Sequence, residues 1–311
     1  MRPSRNSGPT EPVLVYDRTS GTLVEEPVFN RTAMDFLHGT RLGMVLENTC
    51  VSSPLLSRLF GAYQRSGRSL RGLRRFIEVY DIPLDELDRP LEDFKSLDDF
   101  FTRTLAEGRR PIAAAPETLI APADSRLLAY KIERGQVVPV KGRPIELEAL
   151  LPSQVVSEHY YGGELLVFRL APCDYHRFCY LDDGAHGPLE RRGEVLHSVH
   201  PLALASWVPA FRDNVRDLCL LHSEHFGDVV HIDVGAAMVG RIVQHHPSGA
   251  VVHRGEEKGF FQFGGSTIIL ILQPGIAVLD EDIVSHSGEG FETLVRYGSA
   301  IGRGRGQGGR G

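Results

Sequence analysis

Residues 258–275 are KGFFQFGGSTIILILQPG, an aromatic segment and an apolar run joined through two glycines. The run Ile268-Ile269-Leu270-Ile271-Leu272 carries no polar residue, which suits a strand buried on both faces. A Phe-rich segment leads up to it, and the two are separated by Gly264 and Gly265, then Ser266 and Thr267. Paired glycines release the backbone into dihedrals that a larger residue resists. From the residues alone this is a β-bulge or tight turn opening onto a buried strand.

The same texture extends outward. From about residue 118, short segments rich in Val, Ile and Leu (RLLAYKIE, GELLVFRLAP, RDLCLLHSE, GDVVHIDVGAAMVGRIVQ) alternate with Gly, Pro and Asp. Their spacing leaves no room for repeated βαβ units, and one short helix is expected near PIELEALL. Upstream, residues 14–28 suit a strand or hairpin turning at TSG, and the pattern from about 30 to 107 is helical. Leu55, Leu56, Leu59, Phe60 and Tyr63 share one broad face there. The acidic stretch DIPLDELDRPLEDFKSLDDFFTRTL predicts two short helices broken at Pro90, with Ser96 capping the second.

The expected fold class is therefore α+β, a predominantly β core with an N-terminal helical region. The expected divisions are a disordered leader (1–13), a mainly helical membrane-facing region (14–107), a β-rich core (108–301) and a flexible Gly/Arg tail (302–311).

At 311 residues the chain has ample length for a core, and its net charge of -6 argues against a general nucleic-acid binder. Cys50, Cys173, Cys179 and Cys219 form no CxxC pair and read as reduced, intracellular thiols. The N-terminus lacks the apolar segment of a signal peptide, and no run approaches the ~18 apolar residues of a spanning helix. Any membrane contact is then peripheral. Residues 54–75 carry arginines at 58, 65, 68, 71, 74 and 75 and no acid. Such a segment suits anionic lipid, with Arg58, Arg65, Leu59 and Phe60 as contacts, or else a solvated face beside the acidic stretch at 82–100.

No nucleotide-binding fingerprint or HExxH occurs, and His222/His225 and His245/His246 lack a third ligand at a fixed spacing, so no metal is expected. Three segments carry better chemistry. APADSRLLAY places Asp124 before an apparent strand, LAPCDYHRFCY places Asp174, His176 and Arg177 among aromatics, and FGGST supplies Ser266. These are an acid, a base and a nucleophilic hydroxyl, whose order in sequence leaves their meeting open. An Asx-turn, a core-edge histidine and a turn hydroxyl fit the same residues.

YDRTSGTLVEEPVF, FLHGTRLG, YGGELLVFRLAPCDYHRF, EHFGDVVHIDVGAAMVGRI and GEEKGFFQFGGSTIILILQPG follow one another in this chain. In that order, over about residues 14–301, it resembles the phosphatidylserine decarboxylase family, in particular bacterial members with a longer N-terminal region. The resemblance implies a self-cleaving enzyme whose cofactor is a pyruvoyl group generated from Ser266. The scissile bond would be Gly265–Ser266, giving a β subunit (1–265) and an α subunit (266–311). The glycines then have a purpose, since Ser266 Oγ reaches the Gly265 carbonyl only if the backbone bends sharply. The ketone so formed takes the substrate amine and serves as an electron sink for loss of CO2.

Carried over by residue, the resemblance implies that Asp124 belongs to the charge relay and that His176 serves substrate chemistry. The family pattern DYHRFH reads DYHRFC here, so Cys179 stands where a relay histidine is expected. A neutral thiol is a weak proton acceptor. The implied activity converts phosphatidylserine to phosphatidylethanolamine and CO2. A pyruvoyl decarboxylase of a free amino acid, or an uncleaved lipid-binding relative, are the alternatives. Expected partners are phosphatidylserine, an anionic membrane surface at the cytoplasmic face of the cell membrane, the paired β and α subunits, and a second copy in a homodimer, without nucleic acid.

Overall fold

The computed structural model describes residues 12–27, 59, 61–134, 138–140, 143–145, 147–193, 214–235, 241–264 and 266–305. A hairpin of β1 (Leu14–Asp17) and β2 (Thr22–Glu25) turns at the TSG. Helix α1 (Leu73–Tyr80) follows a 3-10 turn at Gly67–Gly72. Around Pro90 the expected first short helix is instead two separate 3-10 turns, Leu84–Glu86 and Leu91–Asp93. Each begins after a proline in extended backbone, Pro83 or Pro90, and a proline lacks the donor that would let a helix run through. Helix α2 (Leu97–Phe101) is capped as expected, Ser96 Oγ accepting the Asp99 N–H at 3.1 Å.

The β core begins with β3 (Thr118–Ile120), β4 (Ser125–Lys131) and the hairpin β5 (Val138–Val140) and β6 (Arg143–Ile145). The expected short helix is α3 (Leu147–Leu150), followed by β7 (Glu164–Leu170). Next come β8 (Arg177–Cys179), β9 (Gly184–His186), β10 (Glu190–Arg192), β11 (Arg216–Ser223) and β12 (Gly227–Gly235). Then β13 (Ile242–Gln244), β14 (Val251–Val252) and β15 (Glu257–Phe261) lead to β16 (Ser266–Leu272). The chain closes with β17 (Ala277–Leu279), α4 (Glu281–Glu289), β18 (Glu292–Val295) and β19 (Ala300–Gly304).

The protein is thus α+β with a β-dominant core. Among the described residues eleven strands form one sheet, with β12, β16, β7 and β4 side by side at its centre. Its pairings are antiparallel except for β1 alongside β18. Separate sheets join β13, β15 and β8, and β17, β19 and β3.

The apolar run at 268–272 explains itself. Ile268, Leu270 and Leu272 enter one core cluster and Ile269 and Ile271 another, so both faces of β16 are covered. A third cluster joins Leu73, Phe76 and Tyr80 of α1 to Leu97, Phe100 and Phe101 of α2, with Phe263 packed against it. The helical region therefore touches the chain just before the Gly-Gly pair.

The flexible tail was expected from residue 302, yet 302–304 complete β19, paired with β17 and β3. Glycine permits this: a Cβ on Gly302 would meet the Val278 carbonyl oxygen at 2.5 Å. Low complexity there reflects close strand approach.

Candidate active site

The sheet order brings the candidate segments to one end. Ser266 opens β16 opposite Leu170, the last residue of β7, and Gly235, the last of β12. On the far side of β7, β4 starts at Ser125, directly after Asp124. Antiparallel pairing thus gathers the head of FGGST, the loop containing DYHR and the PAD turn, though they are separated by scores of residues in sequence.

Ser266 is fully buried, and its Oγ has no hydrogen-bond partner among the described residues. A buried hydroxyl normally finds a partner, so an orphan at the head of a central strand suits a group with chemistry to perform. Gly264 has φ +141°, where a side chain would be strained. Gly265 lies outside the described residues. One residue further upstream, the Phe263 N–H donates to Asp98 Oδ1 at 2.9 Å.

His176 is fully buried, its ring 3.8 Å from that of Phe101. Its Nδ1 lies 3.0 Å from the Asp174 carbonyl oxygen, and Nε2 has no partner among the described residues. Burial, reinforced by the Arg103 and Arg126 charges, pushes the imidazole down to about 3. It is therefore neutral at physiological pH, with a free lone pair. Arg103, itself buried, donates to the carbonyls of Cys173 and Asp174 at 2.9 and 3.2 Å. Arg177 donates to the Thr102 carbonyl and to Glu257, so the DYHR loop is held by the residues following α2.

Asp124 and Cys179 occupy an adjoining cluster. The Asp124 carboxylate accepts from Arg110 Nε at 2.9 Å and Nη2 at 2.7 Å, and from the Tyr297 N–H at 2.8 Å. The Cys179 N–H donates to the Pro122 carbonyl at 2.9 Å, and its thiol meets Tyr297. Burial pushes that thiol up to about 12, so it stays protonated. No hydrogen bond joins Asp124 to Cys179 or Ser266 among the described residues; Arg110 and Tyr297 hold the carboxylate instead.

Tyr297, Arg110 and Asp98 escaped the sequence reading. The only signal was the acidic pair in SLDDFF, which a helix N-terminus accounts for equally well.

Of the expected membrane contacts, Arg58 and Phe60 lie outside the described residues, while Leu59 and Arg65 are exposed. Arg68, Arg71, Arg74 and Arg75 are exposed as well. The four histidines weighed as ligands each face a carboxylate: His222 with Asp228, His225 with Asp182, His245 with Glu257 and His246 with Glu256.

The family model of phosphatidylserine decarboxylase matches residues 97–303, from α2 through the orphan serine to β19. The chain belongs to the phosphatidylserine decarboxylase family. It is 39% identical to the phosphatidylserine decarboxylase proenzyme of Chlamydia muridarum, across 93% of this chain and 97% of that one. It is 38% identical to the proenzyme of Clostridium novyi, across 93% and 99%. A third such proenzyme, from Desulfitobacterium hafniense, is 36% identical across 92% and 97%. The likeness to this family therefore includes the helical region as well as the β core.

Proposed function

We propose that the chain breaks itself at Gly265–Ser266 and that the new end makes it a pyruvoyl-dependent decarboxylase converting phosphatidylserine to phosphatidylethanolamine and CO2. The observation that carries this reading is the buried Ser266 Oγ, without a hydrogen-bond partner among the described residues, behind Gly264 at φ +141°. In self-cleavage, Oγ forms a bond to the Gly265 carbonyl carbon, the Gly265–Ser266 peptide bond breaks and the hydroxyl proton ends on the freed nitrogen. Loss of the Cα proton then expels the upstream carboxylate from Cβ, and water releases ammonia to leave the ketone. That ketone supplies a site for the substrate amine and an electron sink for the pair left by CO2.

The rest falls to the chain's own side chains. Neutral, buried His176 offers Nε2 to take or return a proton at the reacting carbon. Asp124 anchors the turn carrying Tyr297 against Cys179. After the break, residues 266–311 stay attached because β16 lies between β12 and β7 and β18 lies between β4 and β1. Buried Arg169 also pairs with Glu292, and Arg18 with Asp280 and Asp282.

Among the described residues no helix is long and apolar enough to cross a membrane. The exposed arginines from 65 to 75 and exposed Leu59 support a peripheral seat on anionic lipid, which we place at the cytoplasmic face of the cell membrane.

Denaturing mass spectrometry tests the central claim. The wild-type chain is expected to yield a fragment of residues 266–311, blocked at its amino end and reactive towards carbonyl reagents, and Ser266→Ala to remain whole. A wild-type chain that stays intact after native maturation would leave the uncleaved lipid-binding alternative.

A further inference from the structure

We infer that Asp98 is a positioning residue for self-cleavage: its carboxylate grips the main chain two residues ahead of Gly265 and so aligns the Gly265 carbonyl with Ser266 Oγ. This rests on the reading of Gly265–Ser266 as the scissile bond.

The downstream side of that bond is rigid, because Ser266 is in register with both Leu170 and Gly235. On the upstream side strand pairing stops sooner: the Gln262 N–H still donates to the Arg241 carbonyl at 3.0 Å, and among the described residues no backbone partner follows it. Strand β15 ends at Phe261, and the Phe263 N–H finds its acceptor in Asp98, 165 residues earlier, at 2.9 Å. Asp98 is only 8% exposed, and its helix is itself fastened. Ser96 caps α2, the Leu97 N–H donates to buried Ser69 Oγ at 2.8 Å, and Phe100 and Phe101 are fully buried. The Phe263 ring adds a second hold, 4.8 Å from Phe101 and 6.4 Å from Phe76.

Between the two anchors lie only Gly264 and Gly265. A hydroxyl and a carbonyl held from both sides sample few arrangements, so the attack geometry recurs far more often than in a chain tethered at one end. A carboxylate accepting a backbone N–H makes the stronger, charge-assisted kind of hydrogen bond. Asp98 thus couples assembly of the helical region to cleavage some 165 residues away in sequence.

Pulse-labelled full-length chain, chased on denaturing gels, tests this. Asp98→Ala is expected to cleave roughly ten- to a hundred-fold more slowly, the effect of removing one charge-assisted hydrogen bond. Asp98→Asn, isosteric and still an acceptor, is expected to recover most of the rate. Hydroxylamine cuts the ester formed by the acyl shift, so the break it induces reports that shift apart from the later elimination. It should be slowed in Asp98→Ala to the same degree. Melting of both variants in the uncleavable Ser266→Ala background should stay close to that of the parent.

Wild-type cleavage in Asp98→Ala, an Asn variant as slow as Ala, or full rescue by hydroxylamine would each overturn the inference. So would slowing that appears only with a matching loss of melting temperature. A wild-type chain that never breaks overturns the cleavage-site reading itself, a separate and recognisable result.

Discussion

The Nδ1 of His176 lies 3.0 Å from the Asp174 carbonyl oxygen, and a carbonyl can only accept. The ring proton is therefore on Nδ1, and Nε2 carries the lone pair. Burial, with Arg103 and Arg126 nearby, has moved the imidazole down to about 3. Turnover should then show no His176 inflection near 6.5, the ordinary value for histidine. His176→Ala should lower turnover of matured enzyme by roughly 10²–10⁴-fold, the usual range for losing a general acid or base. An undiminished rate per pyruvoyl group would refute the assignment. A variant that fails to cleave would instead move His176 into the maturation step.

Acid should destabilise the fold through the same residue. His176 at about 3 and His186 at about 4 are both depressed by burial from 6.5. Between those folded values and 6.5 the unfolded chain binds more protons, so stability is fully present above 6.5 and falls as pH drops towards 4 and then 3. Denaturant midpoints of the Ser266→Ala proenzyme at about pH 7.5, 6 and 5, roughly one unit above and roughly half and one and a half units below histidine's ordinary value, measure this slope. His186→Phe should flatten it in part. A stability independent of pH over that window would contradict both depressed values.

Because burial pushes the Cys179 thiol up to about 12, it is expected to contribute little proton transfer. Cys179→Ala should mature at close to the wild-type rate, followed as decay of the proenzyme band. Cys179→His should mature faster, since a neutral imidazole next to Tyr297 is a better base than a thiol. Arrest in the alanine variant together with no gain in the histidine variant would show that the thiol has a role of its own.

Lys258 and Asp233 form a fully buried ion pair between β15 and β12, completed by His231 and Gln244. Burial alone would raise the Asp233 carboxylate, but Lys258 and His231 hold it below its usual range. Lys258→Met strands that charge and should destabilise the proenzyme by about 3–5 kcal/mol. The double change Lys258→Met with Asp233→Leu should regain most of the loss. Equal destabilisation in the single and double variants would show that packing, and not the stranded charge, sets the effect.

Liposome co-sedimentation should rise with anionic lipid content and fall with salt, because the exposed arginines act over about a Debye length, ~8–10 Å. Arg65→Glu with Arg71→Glu should weaken binding while leaving the melting of the β core in place. Binding indifferent to lipid charge and to salt would remove the electrostatic part of the membrane proposal.

Elements whose signal is local are legible in the amino-acid order alone. An unbroken apolar run at 268–272 suits a strand covered on both faces, Ser96 announces α2, and the glycine at 264 ahead of Ser266 marks a backbone freed from ordinary dihedrals. That order also carries the motifs that resemble the family, because those residues are contiguous. What touches them was decided by tertiary structure. Proline chemistry turned one expected helix into two 3-10 turns, and strand pairing drew residues 302–304 out of the expected tail. Asp124 is held by Arg110 and Tyr297, and Asp98 reaches Phe263, through contacts spanning 14, 173 and 165 residues. Such contacts leave no periodicity or spacing to read, because a side chain's partner across the fold depends on sheet order and register, and both are set only once distant strands have paired.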